Sequence, residues 1–526
     1  MSGLDWIVIA VYLGGTLALS GWLARRQRSA ADYYVAGRSL PAWALGISIL
    51  ATQSSANSFI GIPAYVALVP GGGLNWLQYE LAVPLAMIVV MVLLVPVLRG
   101  LGVISIYEYL EQRFDRRTRL LLSLVFLLSR GLATGVALYA AALVVQVCTG
   151  LPLPWAIVLM GVITVIYDTL GGMRAVVWTD VIQMAVLLGG IGLCAWLAWA
   201  QVGGPAAILA AHEPARLAAL ELSHGLGDGA RAPLWGFLAG GLVLYISYYG
   251  VDQSQAQRTL SATHVKGAQS ALLLNGLARF PLTLLYAGLG LAIGAVALQQ
   301  PALREAVPAN RLDLLVPRFI ELYVPSGARG LLVAAILAAA MSSLDSALNS
   351  LSAATLRDFV EPRIGAARAL AAGRAVTVAW GLLVVGFAFG VGGLASSVVE
   401  GINRIGALFY GPLLAAFLCG ILDRRARGPA VLAGVFLGLG TNLALAYGLG
   451  PQLFWMWWNI SGLLVAAAVT WLGSRCLAAP APEQLRNTTL SWPALCRNLA
   501  QQRGAVLLLL AWAASMAALA VWLGVR

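Results

Sequence analysis

Three oxygen-bearing side chains share one face of the apolar, membrane-length segment 331–356. Ser342, Asp345 and Ser346 are spaced i, i+3 and i+4, so a helix places them side by side. Hydrocarbon does not solvate a carboxylate, and an ionisable residue at that depth is costly and by default functional. A face with oxygens, and with neither nitrogen nor sulfur, suits a hard cation, which favours an alkali ion over a transition metal.

Two other apolar segments are interrupted by polar runs. Residues 51–58 (ATQSSANS) lie within the segment 41–69, and residues 245–253 (YISYYGVDQ) lie within the segment 233–257, where they surround Gly250. Irregular backbone at membrane depth is tolerated only where it is buried in protein or lines a cavity. The pattern therefore predicts that the second and seventh of about 14 spans are broken. One broken span in each half indicates a transporter of two inverted repeats with its site at the midplane.

A cation site is predicted where the broken second span meets the polar face. The carbonyls of Ala51, Ser54 and Ala339 and the hydroxyls of Ser342 and Ser343 would offer about five oxygens to one ion. The alternative is that both serines bond back to the carbonyl four residues earlier, as serines in membrane helices often do. Spacing alone leaves both interpretations open.

Asp180 lies about one turn into the predicted sixth span. It could join Asp345 and Ser346 around a second cation or a proton, because two converging carboxylates need positive charge between them. The alternative is an interfacial aspartate that caps the helix N-terminus, where the macrodipole favours negative charge.

Arg130, Arg279 and Arg404 interrupt apolar spans. Arginine matches the geometry of a carboxylate, so Arg279 or Arg404 could hold an anionic solute. The alternative for each arginine is structural pairing with acids of the chain itself, such as Glu80 and Asp252.

Aromatic residues surround the break in the seventh span. Tyr245 and Tyr248 could stack on or gate a solute, and the alternative is ordinary packing in the helix bundle. The sequence has no GxSxG, HExxH or Walker pattern, and its five cysteines form no CxxC pair. It therefore does not indicate an enzyme or a cysteine metal site.

Composition places all of this in a membrane. The chain has 526 residues, of which 60% are hydrophobic and 10% charged, whereas soluble domains carry about 25% charged residues. The formal net charge of +12 reflects basic residues of cytoplasmic loops, among them Arg258 and Lys266, and not nucleic-acid binding. This charge pattern predicts that both termini lie outside.

Five motifs in order and spacing resemble the sodium:solute symporter family, whose members include sodium-coupled sugar, sialic acid, proline, iodide, vitamin and monocarboxylate carriers. The resemblance covers nearly the whole chain. The motifs are 32–41 (DYYVAGRSLP), 107–114 (YEYLEQRF), 171–172 (GG) with 177–180 (VWTD), 257–260 (QRTL) and 342–350 (SSLDSALNS).

The resemblance implies an all-α, polytopic LeuT-type fold with a core of five-plus-five inverted repeats in a single transporter domain, 1–526. It divides the chain into an extra N-terminal span (4–24), a first repeat (41–200), a second repeat (233–422) and additional C-terminal spans (429–526).

The resemblance also favours particular sodium ligands. It assigns the usual sodium to Ala51, Ser54, Ala339, Ser342 and Ser343. Members with a second sodium use positions that match Asp180, Ser342, Asp345 and Ser346. Asp345 replaces a hydroxyl there, which makes this second site more acidic and suited to sodium or a proton.

The expected solute pocket departs from that of the family's sugar carriers. Glu80 and the tyrosine gate at Tyr248 match. Arg279 replaces a lysine, Arg404 falls near a glutamine position, and Ser58 replaces a glutamine. With Tyr245, these residues form the predicted substrate set, and the two arginines favour an anionic carboxylate.

The sequence thus predicts a monomeric sodium-coupled symporter of the bacterial inner membrane that imports a small organic solute by alternating access. A sugar or amino-acid symporter of the same family is the nearest alternative. A transporter-like membrane sensor is the alternative from another class, although the chain has no signalling module.

Overall fold

The computed structural model describes residues 1–25, 27–223, 225–227, 233–390, 398–450 and 452–524, without the side chains of Asn57 and 398–402. Regular structure within these residues is helical, apart from one isolated β-bridge between Leu40 and Ala262. The all-α prediction is confirmed.

Fifteen helices of the described residues are numbered in chain order. They are α1 (Gly3–Ala24), α2 (Ala42–Gln53), α3 (Ala56–Ala67), α4 (Leu74–Gly100), α5 (Arg116–Thr149), α6 (Leu153–Val202), α7 (Gly241–Val251), α8 (Gln253–Leu260), α9 (Val265–Gln299), α10 (Ala328–Thr355), α11 (Ala369–Gly390), α12 (Val398–Leu422), α13 (Gly428–Gly448), α14 (Trp457–Arg475) and α15 (Arg503–Gly524).

Ten helices of the described residues are long and apolar enough to cross a membrane. The count of about 14 spans stays a prediction, because some predicted spans are not separate long helices. At about 1.5 Å per residue, a bilayer core of about 30 Å needs about 20 residues, so the 50 residues of α6 are enough for two crossings. It contains two predicted spans, 154–172 and 176–200, which meet at a kink.

The kink in α6 requires a glycine. Gly172 has φ 55° and ψ −164°, a conformation that L residues rarely adopt. A Cβ atom at this position would also lie 2.6 Å from the Tyr33 carbonyl oxygen. The kink therefore lets the short helix Ala30–Val35 pack directly against α6.

Both predicted breaks are present. The helix α2 ends at Gln53 and α3 begins at Ala56. The second break lies at Asp252, within the predicted run 245–253; Asp252 is extended (φ −88°, ψ 121°), whereas Gly250 remains helical. The physical reason is the Asp252 side chain, which accepts a 2.8 Å hydrogen bond from the Ser254 amide and so begins a new helix, α8.

The helix with the polar face, α10, lies in the interior. In its apolar stretch, 89% of the residues are buried, whereas the corresponding shares are 22% for α1 and 17% for α15 at the periphery. It packs on α6, α5, α2, α3 and α8. The many alanines and serines of α10 permit these close approaches, as small residues do in membrane bundles.

Candidate functional site

Asp180 lies eight residues after the kink in α6 and is fully buried. Its carboxylate accepts hydrogen bonds from the hydroxyls of Ser48 on α2 and Ser342 on α10. It also pairs with Arg258, whose Nη2 lies 3.0 Å from Asp180 Oδ2. These partners are side chains of other helices and not the backbone amides of its own helix, so Asp180 does not act as an N-cap.

Arg258 corrects a second expectation, because it is not in a cytoplasmic loop. It is 0% exposed on α8. Its Nε donates to Ser48 Oγ (2.7 Å), its Nη1 to the Ser254 carbonyl (2.5 Å) and its Nη2 to Asp180 and to Ser346 Oγ (2.5 Å). The polar sequence of α8 has no apolar run, so hydropathy alone assigns it to solvent.

Asp345 is connected to the same residues through hydroxyl groups. The Tyr167 hydroxyl donates to its carboxylate, and Ser346 Oγ lies 3.0 Å from Asp345 Oδ1. Ser346 Oγ also lies 2.6 Å from the Ser342 carbonyl and 3.1 Å from Thr52 Oγ1. The structure therefore brings together all three residues of the predicted second cation site.

We call this cluster the carboxylate network. It consists of Asp180, Asp345, Arg258, Ser342, Ser346, Ser48, Thr52 and Tyr167.

The composition of the carboxylate network fits a monovalent cation. With both carboxylates ionised, the single guanidinium leaves one negative charge, and a buried charge must be compensated. Apart from the Arg258 guanidinium, the polar side-chain atoms of the network are all oxygens, which are the ligands that a hard cation prefers. No group of three or more His, Cys, Asp or Glu side chains that could hold a metal ion occurs among the described residues.

The predicted first sodium site lies beside this network. Ala51 and Ser54, at the C-terminal end of α2, are 2% and 0% exposed. The Ala51 carbonyl accepts a 3.0 Å hydrogen bond from the Ser54 amide, and a carbonyl oxygen has a second lone pair that can bind an ion. Ser343 Oγ donates back to the carbonyls of Ala339 and Ala340 at 3.2 Å, as the alternative of backbone-bonded serines predicts. Ser342 donates to Asp180 instead. The five-oxygen ligand set stays a prediction.

A cavity of about 140 Å³ opens next to these residues. It is lined by polar residues of the broken span, by aromatic rings and by two arginines. Its lining includes Thr52, Gln53, Ser55, Ser58, Trp76, Tyr79, Arg130, Thr134, Tyr248, Arg279, Ser343, Asn403 and Tyr410.

Only some of the predicted substrate residues line this cavity. Ser58, Tyr248 and Arg279 line it. Glu80 and Tyr245 lie behind the lining: Glu80 is 0% exposed and Tyr245 donates to its Oε2 at 3.3 Å. Arg404 is exposed and is not among the lining residues.

Arg279 is engaged by the protein on two sides. Its Nε lies 3.2 Å from Glu80 Oε2 and its Nη1 lies 3.3 Å from Ser54 Oγ. Thr283 Oγ1 donates to the other oxygen of Glu80 at 3.0 Å. Arg279 thus links the acid of α4 to the break between α2 and α3, as the structural alternative expected.

Arg130 has a longer ion pair than Arg279, although the sequence favoured Arg279 and Arg404 as solute ligands, and it also interacts with the hydroxyls of Tyr248 and Tyr410. Its Nη1 lies 3.6 Å from Asp252 Oδ2, and its guanidinium carbon lies 5.6 Å from the centre of the Tyr248 ring. Its buried Nε has no hydrogen-bond partner among the described residues.

Two features of the sequence point to the positions of Arg258 and Arg130. Arg258 lies within the QRTL motif, directly after a broken span, where a charged residue can be buried. Arg130 lies in the middle of the apolar α5, as Arg279 does in α9. Which arginine faces the cavity depends on helix rotation, which the sequence of one chain does not show.

Comparison with known proteins decides the family. The family model "Sodium:solute symporter family" matches residues 33–438. The chain belongs to this family. It is accordingly a multi-pass membrane transporter that couples to sodium, and not an enzyme.

Two curated relatives illustrate the range of solutes. The symporter is 34% identical to the human sodium/iodide cotransporter, over 86% of this chain and 70% of that protein. It is 30% identical to the sodium/sialic acid symporter NanT of Aliivibrio fischeri, over 89% of this chain and 92% of that protein.

Solved structures agree with the fold. A sodium-coupled sialic acid symporter in a substrate-bound outward-open state has 26% identity and a TM-score of 0.81, with coverage of 91% of this chain and 99% of that one. The nucleobase-cation-symport-1 family transporter Mhp1, closed with bromovinylhydantoin bound, has 16% identity and a TM-score of 0.56, with coverage of 88% and 99%. The latter shows a shared fold alone.

Proposed function

We propose that this symporter imports a small organic anion, with a carboxylate as the solute class, together with sodium by alternating access. One observation carries the proposal: Thr52 lines the cavity and its hydroxyl lies 3.1 Å from Ser346 Oγ in the carboxylate network. Ser343, a predicted sodium ligand, lines the same cavity. Solute and cation would therefore act on shared residues, as coupling between two ligands requires.

Two groups of residues would hold the coupling ions. The first sodium would take the oxygens of Ala51, Ser54, Ala339, Ser342 and Ser343 at the junction of α2 and α10. The negative charge of the carboxylate network supports a second cation, a sodium or a proton, at Asp180, Asp345 and Ser346. A bound sodium supplies positive charge that compensates these groups.

Arg130 is the residue best placed to bind the anionic group of the solute. It lines the cavity, its Nε has no hydrogen-bond partner in the described part of the chain, and its ion pair with Asp252 is long at 3.6 Å. Arg279 would position Glu80 and Ser54. The hydroxyls of Ser55 and Ser58 supply neutral polar contacts, and Tyr248 covers the Arg130 guanidinium.

The names of three relatives support an anion. They are the iodide and sialic acid carriers and the human sodium-coupled monocarboxylate transporter 1, which is 29% identical over 85% of this chain and 72% of that protein. Iodide, sialic acid and monocarboxylates all carry negative charge at neutral pH.

A neutral solute, such as a sugar, is the second candidate. It is favoured by the pairing of both cavity arginines with buried acids, Arg279 with Glu80 and Arg130 with Asp252. These pairs leave the cavity with little net charge if both acids are ionised.

The remaining expectations belong to the same proposal. We place the symporter in the inner membrane as a monomer. Both termini would lie outside, because basic residues concentrate in alternate loops. The inverted repeats would comprise 41–200 and 233–422, each with one broken span near its start.

Uptake into proteoliposomes tests the solute class. Labelled small carboxylates, sugars and amino acids are offered under an inward sodium gradient, with potassium replacing sodium as the control. We expect sodium-dependent carboxylate uptake that falls about 10- to 100-fold in Arg130→Ala, because a hydrogen bond to a charged group contributes about 1.5–3 kcal/mol. Arg404→Ala, outside the cavity lining, is the matched control and should retain uptake. Uptake of a sugar alone would replace the anion with the neutral candidate.

A further inference from the structure

A third buried carboxylate lies next to the carboxylate network. Asp168, on α6, directly follows Tyr167 and is 0% exposed. Its Oδ1 accepts a 3.2 Å hydrogen bond from Asn349 Nδ2. Asn349 is one helical turn after Asp345 on α10, so the helix places Asn349 and Asp345 on the same face.

One of the two carboxylate oxygens of Asp168 lacks a hydrogen-bond donor. Asp168 Oδ2 is buried and has no hydrogen-bond partner among the described residues, and the same holds for Gln257 Oε1. Both side chains bond to Asn349, since Gln257 Nε2 donates to Asn349 Oδ1 at 2.8 Å. Unsatisfied buried acceptors are uncommon and costly. A protonated carboxyl group is a donor, whereas an ionised carboxylate only accepts.

The charges in this region also call for a cation or proton at Asp168. The groups that interact electrostatically with Asp168 are Tyr33 and Tyr34 of the short helix Ala30–Val35, and Tyr167 and Asp345 of the carboxylate network. Arg374 of α11 interacts with Tyr33, and Arg258 interacts with Asp345.

Neither positive side chain in that set bonds to Asp168. Arg258 pairs with Asp180, and Arg374 donates to Gln27 Oε1 at 3.1 Å. Three ionised carboxylates against the Arg258 guanidinium would leave two negative charges. A cation at Asp345 and Asp180 would compensate one of these charges, and a proton on Asp168 would compensate the other.

We propose that Asp168 is a proton site, separate from the carboxylate network, whose proton is released when sodium binds at that network. The sign follows from electrostatics: a sodium ion near Asp345 stabilises the ionised form of a neighbouring carboxyl group. By linkage, protons at Asp168 weaken sodium binding by the same factor. The inference rests on the proposed second cation site.

Proton release on sodium addition tests the proposal. Purified protein in weakly buffered micelles with a pH-sensitive dye receives sodium chloride, and choline chloride serves as the salt control. Sodium binding is measured in parallel by equilibrium uptake of labelled sodium. We expect the wild type to release protons as sodium binds, and Asp168→Asn to bind sodium while releasing few. Glu213→Gln, which removes an exposed carboxylate, should behave as the wild type.

Other variants keep the result decisive. Asp168→Ser repeats the test if the asparagine variant fails to fold. Asp345→Ser distinguishes failure of the second cation site from failure of the Asp168 assignment: unchanged sodium binding in it would refute that site, and with it sodium-linked proton release at Asp168. Proton release by both folded Asp168 variants equal to that of the wild type would overturn Asp168 as the proton site.

Discussion

Replacing Arg258 with methionine tests whether the buried guanidinium balances the carboxylate network. Arg258 is 0% exposed and bonds to Ser48, Ser254, Asp180 and Ser346. Removal of one partner of a buried ion pair costs about 3–5 kcal/mol, because the other charge stays buried without compensation. We therefore expect Arg258→Met to lower the free energy of unfolding by about that amount in sodium-free buffer.

Sodium should reverse part of this loss. The variant keeps the negative charge of Asp180 and Asp345, so it should bind a cation more tightly than the wild type. A ligand present at about 100 times its Kd stabilises the native state by about 2.7 kcal/mol. The difference between variant and wild type should shrink as sodium rises, and Arg258→Met with Asp180→Asn should recover stability because both charges are gone.

Chemical unfolding in mixed micelles, at a series of sodium concentrations with choline as the replacement, measures these differences. Arg318→Met is the matched control: Arg318 pairs with Glu321 across an exposed i,i+3 contact, with the two side chains 33% and 42% exposed. Such pairs contribute about 0–1 kcal/mol. Equal losses for Arg258→Met and Arg318→Met, or a loss that sodium does not change, would refute this reasoning.

Three further predictions follow from single contacts. Thr52→Val, which removes the hydroxyl 3.1 Å from Ser346 Oγ, should weaken sodium binding by about 5-fold, equivalent to about 1 kcal/mol; an unchanged sodium isotherm would contradict this. Gly172→Ala should destabilise by about 2 kcal/mol or more, because its backbone is left-handed and its Cβ would lie 2.6 Å from the Tyr33 carbonyl oxygen, whereas Gly189→Ala in the same helix, with nothing within 4 Å, should cost nothing; equal melting temperatures would argue against the kink. Replacement of sodium by choline should lower the melting temperature of the wild type, and a salt-independent value would count against a sodium site in the purified protein.

Hydropathy predicted the helical fold because apolar runs long enough to span a bilayer have few other solutions. The polar run 51–58 correctly placed a break in the second span. The polar run 245–253 likewise placed the second break in the seventh span, although it did not show at which residue. The break falls at Asp252 because its side chain caps the next helix, an interaction that depends on the local backbone.

The candidate site was only partly predictable. Asp180, Asp345 and Ser346 were expected to converge, and their hydrogen bonds bring them into one network. The guanidinium of Arg258 between them was missed, since a polar eight-residue helix has the composition of a loop. The choice between Arg130 and Arg404 depends on which helix faces turn inward, and that is decided by packing among distant segments.

Reciprocal binding titrations test the central claim, that cavity and cation sites are coupled. The solute identified by uptake is titrated into the purified symporter with and without sodium, and sodium is titrated with and without the solute. Coupling through Thr52 and Ser343 predicts that each ligand raises the affinity of the other by the same factor. A solute affinity that does not change with sodium would contradict the account.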